Sequence, residues 1–133
     1  MKIINKHIEG LINSFIKPEK KDRYKSTFLK KNGMIKIIGN LYHMNDFNER
    51  YFVQISPQNQ NYKDIYDILV NNGADNYCFI LSDNKSLNEK EDKLLDALEK
   101  TVGTGSVAII SCIPGLLVYY EGEDKNERYY LKK

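Results

Sequence analysis

The chain has 133 residues, of which 41% are hydrophobic and 29% charged, and its formal net charge is +2. That length suits one domain with a sizeable core, so we expect residues 1–133 to form a single domain, helical over 1–45 and sheet-based over 50–133. The sequence contains neither an apolar run long enough to span a bilayer nor an apolar leader after Met1. We therefore expect a cytoplasmic protein that does not act at a membrane.

The charge is divided unevenly along the chain. Residues 1–43 carry ten Lys and Arg against three Asp and Glu, whereas residues 44–133 carry ten against fifteen. Two interpretations are open. A basic helical layer packed beside an acidic layer within one molecule would produce this division, and so would a basic face that meets an anionic partner.

Helical periodicity dominates the first third of the chain. An amphipathic helix over 3–16 is predicted by apolar residues at helical spacing, Ile4, Ile8, Leu11, Ile12 and Phe15. We expect His7 to face solvent on this helix. A second helix turns Tyr24 inward, and a third is predicted over 34–41. The sequence thus predicts a three-helix layer before residue 45.

From Arg50 onward, strand and helix patterns alternate in the order β-α-β-α-β-β-β. The run from Ser106 to Cys112 has no polar alternation, which is typical of a central strand buried on both faces. Pro114-Gly115 favours a type II turn, after which the chain returns through two more strands. The C-terminus is therefore predicted to be a three-stranded antiparallel meander.

Two strand-helix-strand units precede that meander. Such units favour right-handed crossovers between parallel strands. Asn88 with Glu91 three residues later resembles a capping box, which would begin the second of these helices. The predicted fold class is α+β, with the helical layer packed on a mixed parallel and antiparallel sheet.

A block near the C-terminus carries a resemblance to a known family. It consists of Ile110-Ser111-Cys112-Ile113-Pro114-Gly115 followed by Tyr119-Tyr120-Glu121-Gly122-Glu123. Further matching segments are Arg23-Tyr24, Leu41-Tyr42-His43, Arg50-Tyr51 and Tyr77-Cys78-Phe79-Ile80-Leu81-Ser82. Together these residues resemble a family of small uncharacterised bacterial proteins. The resemblance implies a bacterial protein and assigns no catalytic role to any residue.

Candidate catalytic residues are few. Cys112 with His43 is the one thiol and imidazole pairing of interest, because a nucleophilic thiolate needs a base within hydrogen-bond reach. A buried structural thiol is the competing interpretation for Cys112. The two cysteines and two histidines lack the paired spacing of a zinc site, so we expect neither a metal nor a cofactor.

Two candidate binding surfaces remain. The first is a basic face formed by four lysines, Lys20, Lys21, Lys25 and Lys30. The second is a tyrosine-rich sheet edge with Tyr119, Tyr130 and Arg128, since tyrosine combines a large contact area with a polar tip. We therefore predict a small module of the immunity-protein, antitoxin or defence-accessory type that binds another macromolecule, with a protein as the expected partner. An enzyme using Cys112 and a nucleic-acid binder using the basic helices are the alternatives.

Overall fold

The fold is a six-stranded sheet with helices against both faces, seen in a computed structural model that describes residues 6–28, 46–122 and 127–133. One cluster of buried side chains lies between the sheet and the N-terminal helices. A second cluster lies between the opposite face and the two later helices. The fold class is α+β, as the sequence predicts.

The described residues contain four α-helices, α1 (Lys6–Phe15), α2 (Lys21–Phe28), α3 (Tyr62–Asn71) and α4 (Leu94–Thr101). The stripe that α1 buries contains four of the five predicted residues, Ile8, Leu11, Ile12 and Phe15. The helix predicted over 34–41 lies outside the described residues, so two helices represent the predicted three-helix layer. None of the described helices is long and apolar enough to cross a membrane.

Six strands form one sheet: β1 (Phe52–Gln54), β2 (Tyr77–Ser82), β3 (Lys90–Lys93), β4 (Ala108–Ile113), β5 (Leu117–Glu121) and β6 (Arg128–Lys132). Their order across the sheet is β1-β6-β5-β4-β2-β3. The predicted central strand is β4. Ile109 and Ile110 point to opposite faces, one into each buried cluster, and neither is exposed.

The predicted meander is present. β4 pairs with β5 and β5 pairs with β6, in both cases antiparallel. Gly115, in the turn between β4 and β5, has a φ of +74°, the left-handed conformation that a glycine adopts at low cost. The Pro114-Gly115 signal therefore predicted this turn correctly.

The predicted parallel pairing is wrong, because every neighbouring pair in the described sheet is antiparallel. β1 and β2 do run in the same direction, as a strand-helix-strand unit requires, but β6, β5 and β4 lie between them. An additional strand, β3, reverses the chain after β2, so β4 arrives antiparallel to β2. The sheet is consequently antiparallel rather than mixed.

The predicted capping box at Asn88 is also wrong. The Asn88 side chain accepts a hydrogen bond from the backbone N–H of Ser82 at 2.9 Å, which ties the turn to the end of β2. Glu91 lies in β3 opposite Phe79, and α4 begins three residues later, at Leu94. The Asn88 side chain therefore bonds a backbone N–H at the end of β2 rather than one at the start of a helix. Asn side chains commonly form such bonds in turns as well as at helix ends.

Candidate interaction site

The basic face lies on and before α2. Tyr24 is buried, and its hydroxyl donates a hydrogen bond to the carboxylate of Asp46. The core therefore holds one side of α2, which leaves Lys25 exposed on the other. Lys20 forms an ion pair with Asp46, with Nζ 3.3 Å from Oδ1, and Lys30 lies outside the described residues. Three of the four predicted lysines are thus placed on one short segment.

Charges of both signs are interleaved on this segment. Its cations are Lys17, Lys20, Lys21, Arg23 and Lys25, and its anions are Glu19 and Asp22 together with the neighbouring Asp46. The exposed residues among them are Glu19, Asp22, Arg23 and Lys25. The surface is therefore a mosaic with a small positive excess rather than a uniformly positive patch.

The tyrosine-rich hairpin is not a sheet edge. β1 covers β6 on its outer side, so β6 is an interior strand. Tyr119 is fully buried, and its hydroxyl donates a hydrogen bond of 2.7 Å to Oε1 of Glu121. Tyr130 is partly buried against the same core cluster. The prediction of an exposed edge at Tyr119 is wrong, because β1, 65 or more residues earlier in the chain, completes the sheet there.

Arg128 belongs to a buried polar cluster at the end of the same hairpin. Its Nε lies 3.4 Å from Oε1 of Glu121, and its Nη1 donates to the backbone carbonyl of Gln60 at 2.9 Å. The backbone N–H of Gly103 donates to the other oxygen of Glu121 at 2.8 Å. Burial raises the pKa of Glu121, and these hydrogen bonds and Arg128 oppose the rise. The cluster has a structural role, because it joins β5, β6 and the end of α4.

Both thiols are buried, with 1% of each residue exposed. Burial raises the pKa of Cys78 to about 12, and it also raises the pKa of Cys112, with a smaller contribution from Cys78. A nucleophilic cysteine needs the opposite, a lowered pKa and access to substrate. The second member of the predicted pair, His43, lies outside the described residues, so Cys112 as a nucleophile stays a hypothesis with weaker support.

His7 does not face solvent as the sequence suggested. Its Nδ1 lies 2.8 Å from the hydroxyl oxygen of Ser111, and its ring stacks on Phe79 with centroids 5.7 Å apart. Burial lowers the pKa of His7, and the carboxylate of Glu91 opposes that effect. The imidazole therefore ties the start of α1 to the central strand. A separation of 104 residues along the chain hid this contact from sequence reasoning.

A concave surface that sequence reasoning missed lies between α3, α4 and the adjoining ends of β2 and β3. It has a volume of about 380 Å³ and is lined by Tyr66, Asn76, Tyr77, Lys93 and Leu95. We call these five residues the tyrosine groove. Tyr77 is 61% exposed and Leu95 is 40% exposed. Each residue belongs to an apolar run, residues 77–81 or 94–95, which predicts burial, so periodicity gives no sign of the groove.

The described residues hold no group of three or more His, Cys, Asp or Glu side chains that could bind a metal ion. Comparisons of the chain with protein-family models, with curated proteins and with solved structures found no match.

Proposed function

We propose that the chain is a small module that binds another protein through the basic face on α2. One observation supports the proposal. Tyr24 is buried and fixes one side of α2 against the core, so the cationic side chains beside Tyr24 are presented to solvent. Arg23 and Lys25 are the exposed cations of α2, and Lys21 is half-exposed. The positive electrostatic potential of exposed cations accelerates association with a partner of opposite charge.

The interleaved carboxylates favour a protein partner over a nucleic acid. Nucleic-acid binding draws its affinity from cations that neutralise successive phosphates. Glu19 and Asp22 would repel those phosphates, and Asp46 already offsets the charge of Lys20. A protein surface can match such a mosaic with its own pattern of both signs. An immunity protein, antitoxin or defence accessory would use a face of this kind.

The test reverses charge at two exposed or half-exposed positions, Lys21→Glu and Lys25→Glu together. Lys20 is left unchanged, because a glutamate there would face Asp46 and disturb the fold. A matched control, Lys63→Glu with Lys85→Glu, reverses two exposed lysines elsewhere in the chain. Tagged versions of the three proteins are used to recover partners from a lysate of the source cells, with identification by mass spectrometry.

The expected result is a partner recovered by the native chain and by the control and lost with the α2 variant. Changes in exposed charge alter stability by about 0.5 kcal/mol or less, so both variants should remain folded by circular dichroism. Equal recovery by all three proteins would reject the basic face. A partner that proves to be nucleic acid, with affinity that falls steeply as salt rises, would reject the preference for a protein.

A further inference from the structure

We infer that Cys78 and Cys112 are a redox-sensitive pair, which hydrogen peroxide joins in a disulfide across β2 and β4 and which reduced glutathione reopens. They are the two cysteines of the chain. Both are free, and both are buried in the cluster between the sheet and the helices α3 and α4. The basic face on α2 shares no residue with this pair, so the inference is independent of the proposed function.

The register of the sheet places the two cysteines opposite each other. β2 and β4 are antiparallel, and Phe79 pairs with Ser111. One residue further along the same register, Cys78 faces Cys112. Side chains alternate between the two faces of a strand, and both cysteines belong to the face that packs on α3 and α4. The thiols are therefore cross-strand neighbours on one face.

The pair occupies a position without mutual backbone hydrogen bonds, where opposite residues are closest. The backbone N–H of Leu94 donates to the carbonyl of Asn76 at 2.8 Å, so these two residues form a hydrogen-bonded pair beside β2 and β3. Such pairs recur at every second residue, so Cys78 forms the next one with Asp92. The backbone N–H and C=O of Cys78 thus point toward β3 and away from Cys112. The α-carbons of opposite residues in a non-hydrogen-bonded pair lie about 4.5 Å apart, and those of disulfides lie about 4.4 to 6.8 Å apart.

A disulfide at this position would be easy to reduce. A separation of about 4.5 Å is at the short end of the disulfide range, and strained disulfides are the labile, regulatory ones. β4 also has a bulge here, because its pairing with β5 skips from Ser111 to Ile113 and leaves Cys112 as the extra residue. A residue outside the regular ladder adjusts its backbone more readily than a paired one. The bond can therefore close within the folded protein.

Oxidation proceeds in two steps. The Cys78 thiolate first attacks one oxygen of hydrogen peroxide, so that an S–O bond forms, the O–O bond breaks and the released hydroxide takes up a proton to become water. The product is a sulfenic acid on Cys78. The Cys112 thiolate then attacks the Cys78 sulfur, so that the S–S bond forms, the S–O bond breaks and hydroxide leaves as a second water. In total, two thiols lose two electrons and two protons, and one peroxide becomes two waters.

Peroxide reaches Cys78 first. Its Sγ donates to the backbone carbonyl of Asp92 at 3.5 Å, in β3, which is the last strand on this side of the described sheet. None of the four β3 residues is buried, so this edge should open locally more easily than the core. Burial raises the pKa of Cys78 to about 12 and raises that of Cys112 as well, so little thiolate is present at neutral pH. The response is therefore slow and suits sustained exposure to peroxide.

The experiment treats the reduced native chain with hydrogen peroxide at pH 7.5 and follows its intact mass. Peptide mapping without reductant then identifies the linked cysteines. The matched variants Cys78→Ala and Cys112→Ala each keep one thiol, and dimedone with urea is added at the end of their reactions to capture sulfenic acid. The rate is also measured in urea below the unfolding transition. Finally, the oxidised native protein is incubated with reduced glutathione.

The native chain should lose the mass of two hydrogen atoms at a rate that does not depend on protein concentration, with Cys78 linked to Cys112. Neither variant should lose this mass, and Cys112→Ala should accumulate the dimedone adduct faster than Cys78→Ala. Urea should change the rate by less than about twofold, because a local opening exposes little surface. Reduced glutathione should restore both thiols in the folded protein.

Three outcomes would overturn the inference, and each is read from the native chain, so a variant that folds poorly does not affect them. Oxidation to sulfinic acid without a disulfide would show that the two sulfurs do not meet. A rate that rises steeply with urea would assign the disulfide to the unfolded chain. A disulfide that resists reduced glutathione in the folded protein would be a permanent structural bond.

Discussion

The α-carbon of Gly10 lies against the backbone of Gly115, so that a β-carbon placed on Gly10 would come within 2.3 Å of the Gly115 nitrogen. It would also lie 2.8 Å from the carbonyl carbon of Pro114. Contacts that short do not occur between real atoms, and both atoms belong to backbone that cannot rotate away. Helix α1 therefore touches the β4–β5 turn directly, and Gly10 permits the approach.

Gly10→Ala should destabilise the protein, by about 1 to 3 kcal/mol, because α1 must move away from the turn. The direction is informative, since Ala in place of Gly inside a helix normally stabilises by about 1 kcal/mol. Glu9→Ala, at the exposed position before it, is the matched control and should change little. Urea unfolding followed by circular dichroism measures both, and a Gly10→Ala protein as stable as the native chain would contradict the contact.

His7 should make the protein less stable as pH falls below 6.5, the ordinary value of its pKa. Burial lowers its pKa below 6.5, so the unfolded chain takes up this proton at a higher pH than the folded one. Stability is therefore fully present above pH 6.5 and is lost as pH falls toward the lowered pKa. His7→Gln removes the titrating group. Because His43 is present in both proteins, its contribution cancels in the difference.

The measurement is the free energy of unfolding against pH for the native chain and His7→Gln. The native chain should lose its advantage over the variant as pH falls from 7 to 5. Removal of the bonded hydroxyl by Ser111→Ala should cost about 1 kcal/mol at pH 7 and far less in the His7→Gln background. Parallel pH curves for the two proteins would show that His7 is solvated in the folded state.

Arg128→Ala should cost about 3 kcal/mol or more, because it leaves the carboxylate of Glu121 buried without its cation. Arg50→Ala, at an exposed arginine, is the control and should cost much less. Arg128 opposes the burial that raises the pKa of Glu121, so this pKa should rise further in the variant.

A carboxyl with a folded pKa above its unfolded value binds more protons when folded. The Arg128→Ala protein should therefore regain stability as pH falls through the raised pKa toward about 4.5. Thermal unfolding at pH 5 and pH 8 measures this recovery. The double variant Arg128→Ala with Glu121→Gln should be less sensitive to pH and should lose less stability than Arg128→Ala at pH 8. Equal sensitivity of the single and double variants would place the titration elsewhere.

Cys112 and Cys78 should both react slowly with iodoacetamide at pH 7.5 in the folded protein. Burial limits access to each thiol and raises the pKa of each. Addition of urea should bring both to the rate of an exposed thiol, which serves as the internal control. Peptide mass spectrometry separates the two sites. Rapid modification of Cys112 alone in the native protein would restore the hypothesis of a catalytic thiol.

Local patterns predicted the elements that short-range physics determines. The unbroken apolar run from Ser106 to Cys112 predicted the central strand β4, and Pro114-Gly115 predicted the turn that follows this strand. The pairing of β1 with β6 depends on contacts between residues more than 70 apart, so no local pattern specified it. β3 was missed because the four residues Lys90–Lys93 are all charged, which resembles the polar start of a helix.

The residues from Ile110 to Gly122 have identifiable structural roles. Ser111 bonds His7, Cys112 fills the opposite core, and the Pro114-Gly115 turn receives α1. Glu121 anchors Arg128. Each of these contacts stabilises the fold. The tyrosine groove draws its residues from four separate elements, and their proximity arises from the tertiary fold alone.

The charged strand β3 also limits what can assemble on this molecule. It is the last strand on its side of the described sheet, and its side chains, Lys90, Glu91, Asp92 and Lys93, alternate in no apolar pattern. An exposed apolar edge would template further strands and lead toward fibrils, whereas charged edges discourage such growth. The charged side chains of β3 therefore disfavour the addition of a strand from another copy of the chain at this edge, even at high protein concentration.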